Sequence, residues 1–313
     1  QKAGADAIQV RSHWLGYHVG AYLPDALFYP EPPVPVAEMP KEYDSSRKGA
    51  GVNITLAAGI KTAVSIPVLV VGRLDADLGE KILREGKVDY IAMTRRLIAD
   101  PDYPNKLAAG KVDDIAPCTA CDNCLGNQRC RVNGLVGTHF NTIEKATKKK
   151  KVVVIGGGPA GMSAARVSAL RGHDVTLYER ASKLGGLLPL ASMVKGSHPE
   201  DLSLLIGYFE RQILKLGVKV ILGKEADIKV IEQLKPDVVF LATGGTPVVP
   251  DIPGIDKPNV VDGAVLHRRL KFFLKFLSPE KLRELSRFYM PIGKRVIVIG
   301  GGIQGCELAE FLT

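Results

Sequence analysis

One unit, an apolar run followed by a glycine motif and a stretch with helical spacing, occurs twice in the chain and constrains its fold more than any other feature. Val152-Val153-Val154-Ile155 leads into Gly156-Gly157-Gly158-Pro159-Ala160-Gly161, and Val296-Ile297-Val298-Ile299 leads into Gly300-Gly301-Gly302-Ile303-Gln304-Gly305. In a strand–G-x-G-x-x-G–helix unit the first glycine makes the turn and the second lets backbone approach a pyrophosphate. The third lets the helix pack closely on the strand. The helix then presents free N–H groups and the positive end of its dipole to phosphate. A glycine-rich turn without a ligand is the bland alternative. Against it stands Glu179, 18 residues after Gly161 at the end of the next apolar run, where a ribose hydroxyl needs an acceptor. For the second unit the residue that selects NADH or NADPH is expected about 20 residues on, beyond Thr313.

Two further segments separate the units chemically. Leu184-Gly185-Gly186 follows the acidic residue, and Ala242-Thr243-Gly244-Gly245 ends a later apolar run. Both resemble the two-dinucleotide flavoprotein fold. That resemblance implies FAD at the first unit, held by Gly156, Gly158, Pro159, Ala160, Gly161, Glu179, Arg180, Gly186, Thr243 and Gly244. It implies NAD(P)H at the second, held by Gly300, Gly302 and Gly305. Cys306, just after the second motif, reads as a packed thiol.

Between the units, strands are expected at residues 175–178, 219–221 and 238–242, with a helix at 200–216 and a loop at 179–197. Residues 262–287 read as mostly helical and amphipathic, with a basic aromatic stretch at 267–276 that suits packing on a neighbouring domain. Residues 295–299 are expected as a strand.

Upstream, apolar strands at residues 7–10, 67–71 and 90–93 alternate with helices near 53–64 and 77–85, which argues a parallel sheet with crossovers. Periodicity alone leaves a barrel and an open sheet both open. Gly72-Arg73 and Thr94-Arg95 follow successive strands and suggest a phosphate site, since arginine is a bidentate charged donor. Helix-cap arginines are the competing reading. His13 and His18, in a loop rich in proline and aromatics, are acid–base candidates, although loop histidines are more often structural.

Four of the five cysteines fall within thirteen residues, as Cys118-x2-Cys121-x2-Cys124-x5-Cys130. Four soft thiolates in one loop suit an iron–sulfur cluster or zinc in a reducing compartment, and spacing alone leaves both open. The chain has 313 residues, which suggests about two domains. Its +9 charge is spread out, apart from the run Lys148-Lys149-Lys150-Lys151, which reads as a solvated linker. Nothing here requires nucleic acid, and no apolar run reaches the roughly 18 residues of a membrane helix. The start at Gln1 and the stop at Thr313 inside a helical pattern suggest a piece of a longer protein.

Taken together these residues resemble the iron–sulfur flavoprotein branch of the Old Yellow Enzyme family, which includes 2,4-dienoyl-CoA reductase, enoate reductases and trimethylamine dehydrogenase. The likeness runs essentially the whole length. Val70-Val71-Gly72-Arg73, the arginine–x–x–x–alanine–aspartate–proline run at residues 95–101 and Asn105-Lys106 match the segment that holds the FMN phosphate. Ile115-Ala116-Pro117-Cys118-Thr119-Ala120-Cys121 and Cys130-Arg131-Val132-Asn133 match the flanks of a four-iron (4Fe–4S) loop. Gly16-Tyr17-His18 resembles the segment whose histidine assists substrate protonation. The chain departs from the family in a shorter spacing after Cys121 and before Cys130, in Thr94 where glycine is common, and in Val19 where glutamate often stands.

The resemblance implies an α/β architecture in four parts. The C-terminal part of an FMN-binding (β/α)8 TIM barrel occupies residues 1–110, and an iron–sulfur loop and linker 111–147. A Rossmann-like FAD domain follows at 148–292, and the start of an NAD(P) domain at 293–313. It implies a cytoplasmic NAD(P)H-dependent oxidoreductase that reduces an activated C=C bond in a small molecule, an enone or enoyl thioester. FMN would be held by Gly72, Arg73, Thr94 and Arg95, a 4Fe–4S cluster by Cys118, Cys121, Cys124 and Cys130, and His18 would be the catalytic acid. A homo-oligomer or an electron-transfer partner is compatible with this. Two alternatives stay open: an amine dehydrogenase that passes electrons to an external acceptor, and an electron-transfer subunit with no substrate of its own.

Overall fold

A computed structural model describes residues 4–11, 50–51, 53–121, 123–140, 142–195, 202–246, 248–288, 290, 292–293 and 295–312. His18, and with it the aromatic loop, lies outside these residues. The chain divides into two compact units, one over residues 1–139 and 198–201, the other over 140–197 and 202–313. The expected α/β class is what it adopts.

The first unit is a parallel sheet with helices after its strands. Strands β1 (Ile8–Val10), β2 (Val68–Val71) and β3 (Tyr90–Ala92) lie in that order, with Val10 opposite Val70 and Val71 opposite Ala92. Helices α1 (Ile54–Ala63) and α2 (Ala76–Arg84) connect them, the short α3 (Arg95–Ala99) and α4 (Tyr103–Ala108) follow β3, and the one-turn α5 (Asn123–Gly126) comes after these. β-Branched residues favour the pleat of β2, and its alternate side chains Val68 and Val70 are buried with Val10, Ala57, Leu74, Ile82 and Val88. Asp75 caps α2 by accepting the Leu78 N–H at 2.8 Å. Gly79 lets this helix lie against β3, because a Cβ there would stand 2.4 Å from Ile91 Cδ1. The Asp89 carboxylate accepts from Lys61 Nζ at 2.6 Å and from the Val68 N–H at 2.8 Å, tying the entries of β2 and β3 together.

The second unit is a Rossmann-like layer. Its parallel sheet has the order β6 (Lys219–Leu222), β5 (Asp174–Glu179), β4 (Lys151–Ile155), β7 (Val238–Leu241). β4, central and followed at once by glycine, carries Val152, Val153 and Val154 into the core. Helix α6 (Pro159–Leu170) starts on Pro159, whose fixed φ suits a first helical position. It buries Met162 and Ala165, and together with helix α8 (Ser203–Lys215) covers the sheet. Full burial of a side chain like Met162 is worth about 1.5–3 kcal/mol.

Three local expectations change. Residues 179–197, expected as a loop, contain helix α7 (Leu188–Lys195), held down because Leu190 and Met193 pack with Leu274 and Leu282. Helix α9 (Ile228–Leu234), which periodicity did not suggest, is capped by Asp227 accepting the Val230 N–H at 2.9 Å. Residues 295–299, expected as a strand, are not one: among the described residues no strand pairs with them, and Ile297 and Ile299 are exposed. The amphipathic stretch resolves into α10 (Gly263–Leu274) and α11 (Pro279–Ser286), which pack on α7 and leave Phe272, Phe273 and Phe276 exposed. The last helix is α12 (Ile303–Leu312).

Candidate functional site

In the second unit the first glycine motif gathers every segment that the sequence associated with it. Gly156 follows β4 with φ +107, and a Cβ there would stand 2.2 Å from the Ala242 carbonyl oxygen, so the turn and the end of β7 touch backbone to backbone. This contact places Ala242-Thr243-Gly244 beside the motif. On the other side the Gly185 N–H donates to the Gly157 carbonyl at 2.9 Å, and a Cβ on Gly186 would stand 2.9 Å from Gly158 Cα. A Cβ on Gly161 would fall 1.8 Å from the Gly156 carbonyl, which requires glycine where the helix crosses the strand end.

Glu179 ends β5 with its carboxylate over this loop, accepting from the Gly157 N–H at 2.6 Å and the Ala181 N–H at 2.7 Å. Each oxygen keeps a further lone pair for a hydroxyl donor. The exposed Arg180 follows it. Helix α6 begins at Gly158 with no side-chain cap, and a Cβ on Gly158 would meet only Gly186 Cα at 3.8 Å. An uncapped N-terminus, an uncrowded glycine and a carboxylate acceptor suit the pyrophosphate and ribose of a dinucleotide.

The second motif repeats the backbone of the first. Gly300 has φ +117, and a Cβ on Gly305 would fall 1.8 Å from the Gly300 carbonyl. Gly302 has open space around it, as close approach of a ligand needs. Cys306, half-buried on α12, has its Sγ 3.7 Å from the Gly301 carbonyl.

The first unit holds the other candidates. Gly72-Arg73 and Thr94-Arg95 follow the C-terminal ends of paired strands β2 and β3, the side of a parallel sheet where ligands bind. Arg73 itself adopts a left-handed φ of 49°. Its loop is fixed from below, because Gly51 N–H donates to the Gly72 carbonyl at 2.9 Å and the buried Asn53 amide donates to the Val71 carbonyl at 2.5 Å.

Cys118, Cys121, Cys124 and Cys130 line one cavity, shared with Arg95, Ile98, Thr119, Arg129, Arg131 and Val132. The loop is pinned at both ends. The buried Asp100 carboxylate accepts from the Ala116 N–H at 2.7 Å and Lys106 Nζ at 2.6 Å. Asn133 donates its amide to the Ile98 carbonyl at 2.9 Å and its backbone N–H to Cys130 Sγ at 3.4 Å. Burial pushes the Cys118 thiol up, against a hydrogen bond from the Ala120 backbone and the charges of Arg95 and Arg96, which favour thiolate.

Thr119, 3% exposed, keeps its hydroxyl without a protein partner in this loop. A ligand that carries acceptor atoms would satisfy it. Among the described residues, no three Cys, His, Asp or Glu side chains are gathered closely enough to hold a single metal ion. Soft donors on one cavity, N–H groups aimed at two sulfurs and a buried hydroxyl to be satisfied fit a multinuclear iron–sulfur group. Thr119 and the cavity position of Arg95 escaped the sequence, which had linked Arg95 to phosphate only.

A family profile described as Pyridine nucleotide-disulphide oxidoreductase matches residues 150–313. The chain is 39% identical over 286 residues to an NADH oxidase of Thermoanaerobacter brockii, covering 88% of this chain and 41% of that protein. It is 35% identical over 265 residues to a cinnamate reductase of Clostridium sporogenes, covering 81% of this chain and 36% of that one. The solved 2-naphthoyl-CoA reductase in complex with 2-naphthoyl-CoA matches with a TM-score of 0.65 and 37% identity, over 72% of this chain and 36% of that chain. The chain thus spans about two-fifths of the length of the two curated relatives. These likenesses bear out the resemblance to the iron–sulfur branch of the Old Yellow Enzyme family. Among the described residues, no helix is long and apolar enough to cross a membrane.

Proposed function

The chain belongs to the pyridine nucleotide-disulphide oxidoreductase family, and from that premise we propose that it works within an NAD(P)H-dependent flavin and iron–sulfur oxidoreductase that reduces an activated C=C bond. The observation that carries the reading is the convergence of Glu179, Gly186 and Ala242 on the Gly156–Gly161 loop. The four-cysteine cavity on the first unit supports it.

In this reading Gly156, Gly158, Pro159, Ala160, Gly161, Glu179, Arg180, Gly186, Thr243 and Gly244 hold FAD. Gly300, Gly302 and Gly305 take NAD(P)H, and Gly72, Arg73, Thr94 and Arg95 hold the phosphate of FMN. Cys118, Cys121, Cys124 and Cys130 ligate a 4Fe–4S cluster. When bound, these groups supply hydride and single-electron transfer between nicotinamide and substrate. The protein's part is binding and orientation. Glu179 fixes the ribose end, the uncapped start of α6 neutralises pyrophosphate, and the arginines after β2 and β3 clamp phosphate in a bidentate manner. A conjugated carbonyl makes the β-carbon of an enone or enoyl thioester electrophilic, and an acid such as His18 supplies the proton to the neighbouring carbon. The relatives named for a cinnamate reductase and a 2-naphthoyl-CoA reductase support a conjugated, ring-bearing acid or thioester as the substrate class.

The test combines flavin extraction and iron analysis with anaerobic mixing of the holoprotein with NADH or NADPH, followed by an enone, enoyl-thioester and amine panel. Two flavins, about four irons per chain, bleaching by nicotinamide and oxidation by an enone or enoyl thioester are expected. Zinc in place of iron, or reduction by amines without reduction by nicotinamide, would overturn the reading.

A further inference from the structure

We propose that Arg129 and Arg131, which flank Cys130 and share the cysteine-lined cavity with Arg95, raise the reduction potential of the iron–sulfur cluster by placing fixed positive charge beside it. This rests on the cluster reading given above. The cavity is lined by four cysteines and three arginines, and no carboxylate lines it among the described residues. Four thiolates make the site strongly anionic, and each accepted electron adds one more negative charge. Positive charge therefore favours the reduced state over the oxidised one. Net charge, hydrogen bonds to sulfur and solvent exposure are the terms by which a protein sets such a potential. Arginine keeps its charge at any working pH.

The arginines sit on a braced turn. Gln128 has a left-handed φ of 51°, and Gly137 packs against it so closely that a Cβ would stand 2.2 Å from the Gln128 carbonyl oxygen. Asn133 fastens the other side of Cys130 to Ile98 in α3, the helix that Arg95 begins. Arg95, the exposed Arg129 and Arg131, and the cysteines therefore belong to one frame. The redox step is simple in balance: the oxidised cluster gains one electron from reduced flavin, and no bond forms or breaks at the arginines. Arg95 is also assigned to phosphate, so Arg129 and Arg131 are the positions on which charge can be tested separately.

The experiment is an EPR-monitored potentiometric titration of the purified holoprotein, with iron content measured first, on wild type, R129Q, R131Q, the double glutamine variant and R129K. With iron content unchanged, the midpoint is expected to fall in each glutamine variant, to fall further in the double variant and to stay near wild type in R129K. Retained iron with an unmoved midpoint overturns the proposal. Iron lost from both glutamine variants but kept by R129K overturns it too, because the charge then holds the cluster rather than tuning it. Absence of iron from the wild-type protein is seen before any variant is titrated and removes the cluster reading itself.

Discussion

In both glycine motifs a Cβ on the third glycine would stand 1.8 Å from the carbonyl oxygen of the first, Gly161 against Gly156 and Gly305 against Gly300. The segments that feed them differ. β4 lies inside a four-stranded parallel sheet, with Val153 0% exposed, whereas among the described residues no strand pairs with residues 295–299 and Ile297 is 88% exposed. The first motif is also closed in by Ala242 and Gly186, while a Cβ on Gly300 or Gly302 would meet nothing within 4 Å. The local backbone turn is thus written in the glycine pattern. A dinucleotide cradle, by contrast, has to be assembled from distant segments.

The largest test of this difference is the pair G161V and G305V. Gly161→Val drives a side chain into the Gly156 carbonyl inside a packed sheet, so a loss of about 4 kcal/mol or more is expected, with loss of FAD. Gly305→Val meets the Gly300 carbonyl, outside the four-stranded sheet that carries the first motif. FAD and fold should survive while reduction by nicotinamide is lost. Urea unfolding and flavin content after gel filtration read both, and equal losses would break the comparison. Next in size, Met162→Ala, under the first motif, should cost about 2–5 kcal/mol in urea unfolding.

Glu179→Ala removes the charged acceptor of the Gly157 N–H, a loss of about 1.5–3 kcal/mol. FAD affinity measured by fluorescence titration should fall roughly 10- to 100-fold, while NADPH affinity should not move. The smallest effect concerns His267 on α10, between the motifs. Burial first and Lys271 second push its pKa below the ordinary imidazole value. The unfolded chain then binds the proton more readily, so stability is lost as pH falls through the unfolded value of about 6.5. Thermal melts at pH 5 and 7.5 should show a smaller acid-side drop in His267→Gln than in wild type.

Much of this was legible locally. Gly158-Pro159 followed by apolar residues at helical spacing predicts the start of α6, and the runs of valine before Gly72 and Gly156 predict β2 and β4 to within a residue. Helix α7 was hidden because Leu188-Pro189-Leu190 follows Gly185-Gly186 and looks like more loop, and its fold comes from packing against Leu274 and Leu282. Residues 295–299 show the opposite error. Alternating β-branched residues describe a willingness to pair, and a strand forms only when a neighbour supplies the hydrogen bonds.

The sequence by itself determined the α/β class, the two glycine turns, the acidic residue at the end of β5 and the four thiolates in one loop. Each of these depends on near neighbours in the chain, through backbone conformation or donor chemistry. Only the tertiary structure decided that Arg95 borders the thiolates, that Thr119 lies buried beside them with an unsatisfied hydroxyl, and that Ala242 closes on Gly156 and Gly186 on Gly158. The Asn133–Ile98 hydrogen bond spans 35 residues, and the Ala242 carbonyl reaches Gly156 only because β7 pairs with β4. Such contacts follow from which strands pair and which surfaces are buried together, and no local pattern of residue types records them.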